Sequence, residues 1–380
     1  MNNEISLLGS TGSIGRQTLE TVSMLGFNVR ALSANKNIKL LEEQVRRFKP
    51  DIAAVFDEAA AGDFKKRIRD TDVRVLSGIG GLIEAACADG ADTVITAIVG
   101  MVGLRPTLAA IDLGRRIALA NKETLVCAGE LVMQNSKKHG AEIVPVDYEL
   151  SAVFQCIQGQ MSGSVKRIVL TASGGPFRGM DKESLHSVTP KMALRHPKWV
   201  MGQKVTVDSA TMMNKGLEVI ETAHLFGISP ERIEVVVHPE SIVHSMVEFV
   251  DNSVTAQLAE PDMRLPIQYA LTYPERRRSL AARLDFTKLS GLTFERPDTE
   301  TFPCLDLAYE ALSAGGTACA VLNGANEAAV NLFLQGSLGF YGVYKLVRAA
   351  LNHITNIPNP TLSDYIAADE EARRFVAHGG

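Results

Sequence analysis

Short apolar runs separated by amphipathic segments dominate the first 150 residues and predict a parallel sheet. The runs lie at residues 5–8, 29–32, 53–55, 73–76, 93–97, 117–120 and 143–146. Helical segments lie between them. Alternating strands and helices of these lengths are typical of a doubly wound α/β domain.

The rest of the chain has a different pattern. Strands are predicted at residues 168–170, 234–237, 243–250 and 254–258, with a hairpin turn at 251–253, so we expect a small second sheet. Residues 204–207 are also predicted to be a strand. The stretch 271–297 is rich in Pro and Arg and is interpreted as a linker. Alanine-rich helices are predicted at residues 305–313, 318–335, 342–352 and 362–377.

A glycine-rich loop, Gly9-Ser10-Thr11-Gly12-Ser13-Ile14-Gly15, joins the first predicted strand to the first helix. Glycines at such a turn let the backbone approach a pyrophosphate, which rests on the helix N-terminus. The spacing is G-x-x-G-x-x-G and not the usual G-x-G-x-x-G. A plain strand–helix turn is the alternative, but the position at the chain start favours a nucleotide site.

The residues after the second predicted strand indicate which nucleotide binds. NAD enzymes usually place Asp or Glu there to hold the ribose 2′-hydroxyl. Here the chain reads Ser33-Ala34-Asn35-Lys36-Asn37, with a lysine and amides but no carboxylate. This favours NADP over NAD. The alternative is a polar turn that caps the helix starting near Ile38.

Carboxylates follow two strands whose C-termini should face the ligand crevice. Asn121-Lys122-Glu123 follows residues 117–120, although an ordinary helix start would look the same. Asp147 and Glu149 follow the last strand, and on an extended chain they would lie side by side. Oxygen ligands of this kind favour Mg²⁺ or Mn²⁺, with Glu218 as a third ligand. Alternatively, one of the pair caps a helix at 151–157.

Residues 207–218 concentrate polar groups within one helical turn region. Asp208 or Ser209 is predicted to cap a helix, and Asn214, Lys215 and Glu218 should then be neighbours. The stretch is either a ligand site or a solvated helix start. Hydroxyls and glycines at 171–177 suggest a second anion nest. The loop at 195–202 holds the only tryptophan, which is either part of a lid or packed at a domain junction.

Composition limits the classes of function. The 380 residues are enough for two or three domains, and 46% hydrophobic with 22% charged residues is typical of a globular protein. A net charge of −4 argues against a nucleic-acid partner. Five scattered cysteines without a CxxC pair indicate reduced thiols and a cytoplasmic location. Neither a signal-peptide pattern nor a membrane-spanning apolar run is found, so no membrane partner is expected.

Nine segments taken together resemble the 1-deoxy-D-xylulose 5-phosphate reductoisomerase family. They are GSTGSIG, LANKE, PVDYE, TASGGPFR, RHPKWVMG, VDSATMMNKGLE, HPESIVHS, AEPDMRLPI and VLNGANEAAV, and they cover nearly the whole chain. The resemblance implies a homodimer whose subunit has three parts. These are an NADPH-binding Rossmann-type domain (1–147), a central α+β catalytic domain (148–272) with a lid at about 195–202, and, after a linker (273–298), a C-terminal helical bundle (299–380).

The resemblance also implies an activity and the residues that carry it. The expected enzyme is an NADP-dependent oxidoreductase that converts 1-deoxy-D-xylulose 5-phosphate, a phosphosugar, to the isoprenoid precursor 2-C-methyl-D-erythritol 4-phosphate. It uses NADPH and Mg²⁺ or Mn²⁺. Cofactor-binding positions correspond to Thr11, Gly12, Ser13, Ile14, Lys36, Asn37, Asn121 and Glu123. Catalytic positions correspond to Lys122, Glu149, His196 and Glu218. Metal ligands correspond to Asp147, Glu149 and Glu218, and substrate contacts to Lys122, Tyr148, Ser173, His196, Trp199, Met201, Ser209, Asn214 and Lys215.

Two residues depart from the family pattern next to the expected metal ligands. The family has Ser-Glu-His after the aspartate, whereas this chain has Tyr148-Glu149-Leu150. A ring replaces a small hydroxyl, and a polar partner is lost. Two alternatives therefore remain: an enzyme of the same fold that acts on a different phosphorylated ketose, and a catalytically weakened NADP-binding paralogue.

Overall fold

The computed structural model of the chain describes residues 3–161, 163–199 and 201–379. These residues form two compact units, each assembled from separate stretches of the sequence. The first unit contains the described residues up to Thr124, Val132–Ser151 and Asp262–Ala282. The second contains Leu125–Leu131, the described part of Ala152–Pro261, and the chain from Arg283 onward. The division into three domains stays a prediction.

Regular elements account for most of the described chain. The strands are β1 (Glu4–Leu8), β2 (Asn28–Ala34), β3 (Ile52–Val55), β4 (Arg74–Ser77), β5 (Thr93–Thr96), β6 (Arg116–Leu119), β7 (Ile143–Pro145), β8 (Val165–Ala172), β9 (Ile233–Val237), β10 (Val243–Phe249) and β11 (Val254–Leu258). The helices are α1 (Ser13–Leu25), α2 (Ile38–Phe48), α3 (Glu58–Arg67), α4 (Gly78–Ala86), α5 (Leu104–Asp112), α6 (Lys122–His139), α7 (Tyr148–Cys156), α8 (Lys182–Leu185), α9 (Pro190–Ala193), α10 (Gln203–Thr211), α11 (Met213–Phe226), α12 (Arg264–Thr272), α13 (Cys304–Ala314), α14 (Ala318–Leu334), α15 (Phe340–His353) and α16 (Leu362–Ala377).

The first unit is organised around a seven-stranded sheet in which every pairing is parallel. Its order is β4-β3-β2-β1-β5-β6-β7, so the strand order reverses between β1 and β5. Leu8 pairs with Thr96 at that point. Open α/β sheets bind ligands at such a reversal, beyond the carboxyl ends of the strands. The predicted doubly wound sheet is confirmed, and the glycine loop follows β1 at the reversal.

The second unit contains a four-stranded sheet in the order β11-β10-β8-β9. β8 and β9 are parallel, whereas β10 pairs antiparallel with both β8 and β11. Parallel neighbours need a long crossover, and here it contains α8 to α11. The crossover therefore starts and ends at one sheet, and it carries the residues of the 195–218 region. The predicted second sheet and its hairpin are confirmed.

The C-terminal part of the second unit is helical, as the alanine-rich faces predict. α14 packs against α13, α15 and α16, and most of its residues are buried. Phe333, which is fully buried on α14, meets the ring of Phe340 on α15 edge-on, with 6.2 Å between centroids. The predicted bounds of these helices agree with the observed ones to within two residues.

One local prediction is wrong, and the bounds of a second segment need a comment. Residues 204–207 belong to α10 and not to a strand. The β-branched run Val205-Thr206-Val207 favours a strand locally, but burial of one helical face overrides a weak propensity. The presumed linker at 271–297 begins inside α12, and a short 3₁₀ helix, Phe286–Lys288, lies within it.

Among residues 3–161, 163–199 and 201–379, no helix is both long enough and apolar enough to cross a membrane.

Candidate functional site

The glycine loop has the close packing that only glycine permits. Gly9 has a φ of +87°, and a Cβ placed there would lie 2.4 Å from the carbonyl oxygen of Ala97. A Cβ on Gly15 would lie 2.3 Å from the Gly9 oxygen. α1 begins directly after Gly12, which has no side chain to accept from its first turn. The loop therefore leaves backbone N–H groups at a helix N-terminus, the arrangement that suits a phosphate.

Strand β2 ties the glycine loop down through a hydroxyl that sequence reasoning missed. Ser33 Oγ accepts from the backbone N–H of Gly9 at 2.9 Å, and its carbonyl accepts from Ser10 N at 2.8 Å. Ser10 Oγ in turn donates to Gln44 Oε1 on α2 at 2.6 Å. All three side chains are buried. The loop conformation is thus held in place before any ligand arrives.

Lys36 and Asn37, the two residues expected at the cofactor phosphate, make different contacts. Lys36 is 74% exposed, and its Nζ lies 3.3 Å from Asp57 Oδ2. Asn37 Oδ1 accepts from Leu40 N at 3.3 Å and caps α2. The helix-capping alternative therefore describes Asn37 correctly. Lys36 keeps an exposed ammonium, while Asp57 is a neighbour that the sequence did not reveal.

The side chains of Asn121, Lys122 and Glu123 are buried, and each makes a polar contact. Asn121 Nδ2 donates to the carbonyl of Ile98 at 2.6 Å and to Glu123 Oε2 at 3.0 Å. Lys122 Nζ lies 2.8 Å from Asp147 Oδ2. Their exposed fractions are 1%, 9% and 4%. A solvated helix start would not bury these groups, so that alternative is wrong, and their role at a cofactor or substrate stays a prediction.

The two carboxylates after β7 do not lie on an extended chain. The N–H of Ser151 donates to Asp147 O at 2.8 Å, and α7 begins at Tyr148, three residues before the predicted start. The expected extended chain at 147–149 is therefore wrong, because Glu149 lies in the first turn of α7 and Asp147 directly precedes that helix. That the two carboxylates lie side by side stays a prediction.

The two residues that depart from the family pattern, Tyr148 and Leu150, are buried. Tyr148 is 7% exposed and Leu150 is fully buried. Burial raises the pKa of Tyr148, and the charges of Asp262 and Glu149 add to the rise. Asp262 is held by Arg264, whose Nε donates to it at 2.9 Å. The phenol thus has an acidic neighbour in the AEPDMRLPI segment, which had no assigned role.

The polar cluster predicted on one helical face exists at the start of α11. Asn214 Nδ2 donates to Glu218 Oε1 at 2.5 Å, and Lys215 Nζ pairs with Glu218 Oε2. Lys215 and Glu218 are 4% and 2% exposed. The alternative of a solvated helix start is therefore wrong. The predicted cap is also wrong: Gly202 precedes α10, and Met212, at φ 62°, precedes α11.

Ser173 and His196 meet although they are 23 residues apart. Ser173 Oγ lies 3.0 Å from His196 Nε2, and Nδ1 accepts from the backbone N–H groups of Lys198 and Trp199 at 3.2 and 3.0 Å. Two acceptor contacts at Nδ1 place the proton of the neutral ring on Nε2, so Nε2–H donates to Ser173. Half-burial lowers the pKa of His196 through desolvation.

The glycine nest beside Ser173, formed by Gly174 and Gly175, touches Ser209, another residue predicted to contact the substrate. Gly174 and Gly175 have φ values of +84° and +69°, and a Cβ on Gly175 would lie 2.6 Å from the carbonyl oxygen of Ser209. The nest and α10 are therefore in contact within the second unit. Trp199 and Met201 are both half-buried in the loop before α10. Val200, which belongs to the predicted lid, lies outside the described residues.

Three family models match the chain in series. They are described as 1-deoxy-D-xylulose 5-phosphate reductoisomerase over residues 5–129, its C-terminal domain over 143–226, and the DXP reductoisomerase C-terminal domain over 258–375. A 1-deoxy-D-xylulose 5-phosphate reductoisomerase of Acetivibrio thermocellus is 54% identical over 376 residues, 99% of each chain. The chain belongs to the 1-deoxy-D-xylulose 5-phosphate reductoisomerase family.

Two solved structures match this family member throughout. One is the reductoisomerase from Zymomonas mobilis in complex with NADPH, with a TM-score of 0.93 and 44% identity, covering 100% of this chain and 99% of that one. The other is a DOX-P reductoisomerase in complex with NADPH, fosmidomycin and magnesium, with a TM-score of 0.94 and 40% identity, covering 99% and 97%. The mixed α/β architecture and the resemblance found in the sequence are both confirmed.

The roles predicted for the site residues stay predictions, and the structure adds partners that the sequence did not reveal. Within the described residues, no group of three or more His, Cys, Asp and Glu side chains is arranged to hold a metal ion. Asp147 and Glu149 belong to the first unit and Glu218 to the second. Partners far apart in the sequence, such as Asp57 beside Lys36, have no local signal.

Protonation of His196 should loosen the loop that carries Trp199. The neutral ring accepts two backbone N–H groups at Nδ1, and a proton there would remove both contacts. Because the folded-state pKa lies below the ordinary 6.5, this contribution to stability is complete above pH 6.5. It is lost as the pH falls from 6.5 through the folded-state value. We expect the fluorescence of Trp199 to change below pH 6.5, and the step to vanish in His196→Gln. A midpoint above 6.5 would contradict this assignment.

Proposed function

We infer that this chain is an NADPH- and divalent-metal-dependent oxidoreductase that converts 1-deoxy-D-xylulose 5-phosphate to 2-C-methyl-D-erythritol 4-phosphate. The observation that carries this conclusion is the whole-chain match to a reductoisomerase in complex with NADPH, fosmidomycin and magnesium. The reaction is tested directly by mixing the protein with NADPH and this phosphosugar and measuring the oxidation of NADPH by its absorbance.

NADPH fits the first unit. The glycine loop is preshaped and presents a helix N-terminus, so Thr11, Gly12, Ser13 and Ile14 are proposed to hold the pyrophosphate. The exposed ammonium of Lys36 would meet the 2′-phosphate, with Asn37 beside it at the helix cap. Asn121 and Glu123, which are joined by a hydrogen bond at 3.0 Å, are also proposed to contact the cofactor. These assignments follow the family motifs.

The metal-binding proposal rests on the chemistry of three carboxylates. Asp147, Glu149 and Glu218 offer hard oxygen donors, which suit Mg²⁺ or Mn²⁺. Asp147 and Glu218 each have an ammonium partner, Lys122 and Lys215, in the second coordination position from which a lysine can orient a ligating carboxylate. When bound, the metal polarises the substrate carbonyl and hydroxyl oxygens, and NADPH supplies the hydride.

The second unit supplies the groups proposed to bind the substrate. Ser173, His196, Ser209, Asn214 and Lys215 combine hydroxyls, an Nε2–H donor, an amide and a buried ammonium. Such groups satisfy the oxygens of a phosphate and of neighbouring hydroxyls.

Lys122 is proposed to contact the reacting end of the substrate. Trp199 and Met201 are proposed to cover it and exclude water, which strengthens every charged contact inside.

A second candidate function is the same chemistry on a different phosphorylated ketose. It is favoured by one observation, the complete burial of Leu150 beside a buried Tyr148. A ring and an aliphatic chain fixed within the first turn of α7 cannot turn away into solvent. A panel of phosphosugars in the NADPH assay separates the two candidates.

Assembly and location stay predictions. A homodimer follows only from the family resemblance, and no nucleic-acid partner is proposed for a chain with a net charge of −4. A cytoplasmic location is supported by the five scattered cysteines, which form no CxxC pair.

Lys36 should make the enzyme prefer NADPH over NADH by at least about tenfold, since a hydrogen bond to a charged group is worth about 1.5–3 kcal/mol. Lys36→Gln should remove most of that preference by weakening NADPH alone. Lys39→Gln, an exposed lysine three residues further on, serves as the control. Dissociation constants from fluorescence titration measure the effect, and equal binding of both cofactors by the unmodified chain would refute it.

Glu218→Gln should abolish turnover and leave the dissociation constant for NADPH within about twofold, because an amide oxygen is a weaker ligand than a carboxylate. EDTA should abolish the activity of the unmodified enzyme, and Mg²⁺ or Mn²⁺ should restore it. Glu221→Gln, another buried glutamate on α11, is the matched control and should remain active. Activity that survives either chelation or the Glu218 substitution excludes the metal assignment.

The double change Tyr148→Ser and Leu150→His should raise kcat/KM for 1-deoxy-D-xylulose 5-phosphate at least about tenfold, or about 1.4 kcal/mol. The physical reasons are a ring that occupies space beside Glu149 and a lost polar partner, worth about 10–100-fold in metal sites.

Tyr148→Phe is the control for this change, since it keeps the ring and removes only the hydroxyl near Asp262. An ordinary rate in the unmodified chain, unchanged by the double substitution, would show that both residues are tolerated.

A further inference from the structure

The segment VLNGANEAAV lies in the middle of α14, and its two asparagines point to different helices. Asn323 and Asn326 are both fully buried. Asn326 Nδ2 donates to Asp208 Oδ1 of α10 at 2.8 Å. Asn323 Nδ2 donates instead to Asp369 Oδ1 of α16 at 3.2 Å. The reaction described above assigns neither residue a role.

Asn326 completes the set of partners around a buried charge. Asp208 is fully buried, and its Oδ2 lies 2.9 Å from Lys204 Nζ, one turn earlier on α10. A carboxylate removed from water is tolerated only when it is paired and hydrogen-bonded. The series Lys204–Asp208–Asn326, which we call the Asp208 chain, therefore fixes the middle of α10 to α14 at a defined point. Apolar packing alone would let the helix slide.

The position of α10 matters because the helix ends at the polar cluster. Thr211 Oγ1 donates to the carbonyl of Asp208 at 3.2 Å and accepts from Met213 N at 3.3 Å. Between them, Met212 takes the left-handed conformation at φ 62°, and α11 starts in a new direction. A shift of Asp208 is transmitted through these bonds to the first turn of α11.

Ser209 lies next to Asp208, and its carbonyl contacts the nest at Gly175. Asn214, Lys215 and Glu218 lie just beyond the turn. Within the second unit, Asp208 is thus next in sequence to Ser209 and is linked through Thr211 to the start of α11, which carries Asn214, Lys215 and Glu218.

We propose that Asn326 is a positioning residue for the reductoisomerase reaction, acting through Asp208 to hold Ser209 and the first turn of α11 in register. This inference rests on the proposed function. It assigns a role to the late asparagine motif, which lies more than a hundred residues from the groups that it positions.

The test compares two buried asparagines of the same helix. Asn326→Leu keeps the branched shape of the side chain but removes the donor to Asp208, whereas Asn323→Leu makes the same change and removes the donor to Asp369 and Glu327. Asn326→Leu should lower kcat/KM at least about tenfold, with a raised KM for the phosphosugar, because small misplacements are costly in a catalytic site. The dissociation constant for NADPH should stay within about twofold. Asn323→Leu should have a similar melting temperature and near-normal kcat/KM.

Exchange of the two partners gives a rescue that a general loss of stability cannot produce. Asn326→Asp places two carboxylates together in a buried position and should be the most damaging single change. Adding Asp208→Asn restores one carboxylate and one amide in reversed positions. The double variant should recover at least about tenfold in kcat/KM over Asn326→Asp alone.

Binding of inorganic phosphate provides a readout that needs no turnover. Trp199 is the only tryptophan and lies just before α10, so its fluorescence can follow a phosphate titration. Phosphate should bind more weakly to Asn326→Leu than to the unmodified chain or to Asn323→Leu. If the unmodified chain fails to oxidise NADPH with the phosphosugar, the proposed function falls, and the phosphate comparison still decides the role of Asn326.

Either of two results would overturn the inference. One is kcat/KM and phosphate affinity in Asn326→Leu within twofold of the unmodified values. The other is an equal loss in both leucine variants without recovery in the exchanged pair. If Asn326→Leu does not fold, the comparison of Asn326→Asp with the double variant decides alone, and absence of recovery rejects the proposal.

Discussion

The second unit depends on supplying partners to carboxylates in places that water does not reach. Glu218 and Asp208 are almost completely buried, and each has an ammonium group and an amide as partners. Desolvation of a lone carboxylate would cost several kcal/mol, so the surrounding helices must bring donors to it. Each ammonium partner lies on the same helix as its carboxylate, Lys204 on α10 and Lys215 on α11, whereas the amide that holds Asp208 comes from α14.

The first unit offers an anion backbone N–H groups in place of charged side chains. Its glycine loop offers backbone N–H groups held by Ser33 and Ser10, and so it needs few charged side chains. Backbone donors fixed by a sheet lose little freedom when an anion arrives. Side-chain donors, such as Lys215, must be immobilised by neighbours instead. This contrast explains why the glycine loop is short and local, whereas the α10–α11 site draws on helices from distant parts of the chain.

The sequence was sufficient to predict the architecture because each strand of the parallel sheet is a compact apolar run. All seven were placed to within three residues, and the helices after Cys304 were placed as well. The failures arose where tertiary contacts override local preference. A β-branched run at 205–207 became helical under burial, and α7 started early at Tyr148. Motif spacing identified the chemical groups but not their partners, since Asp208 and Asn326 are separated by 118 residues.

The first unit is encoded in three separate stretches of the gene. Its late stretch supplies α12, which packs against α1, and Arg264 there lies 3.8 Å from Glu20. Arg116 at the start of β6 donates to the carbonyl of Tyr273 at 2.8 Å. A fragment cut after β7 would therefore expose the α1 surface and leave Arg116 without this acceptor. Exchange of one continuous stretch of the gene therefore cannot transfer this unit whole.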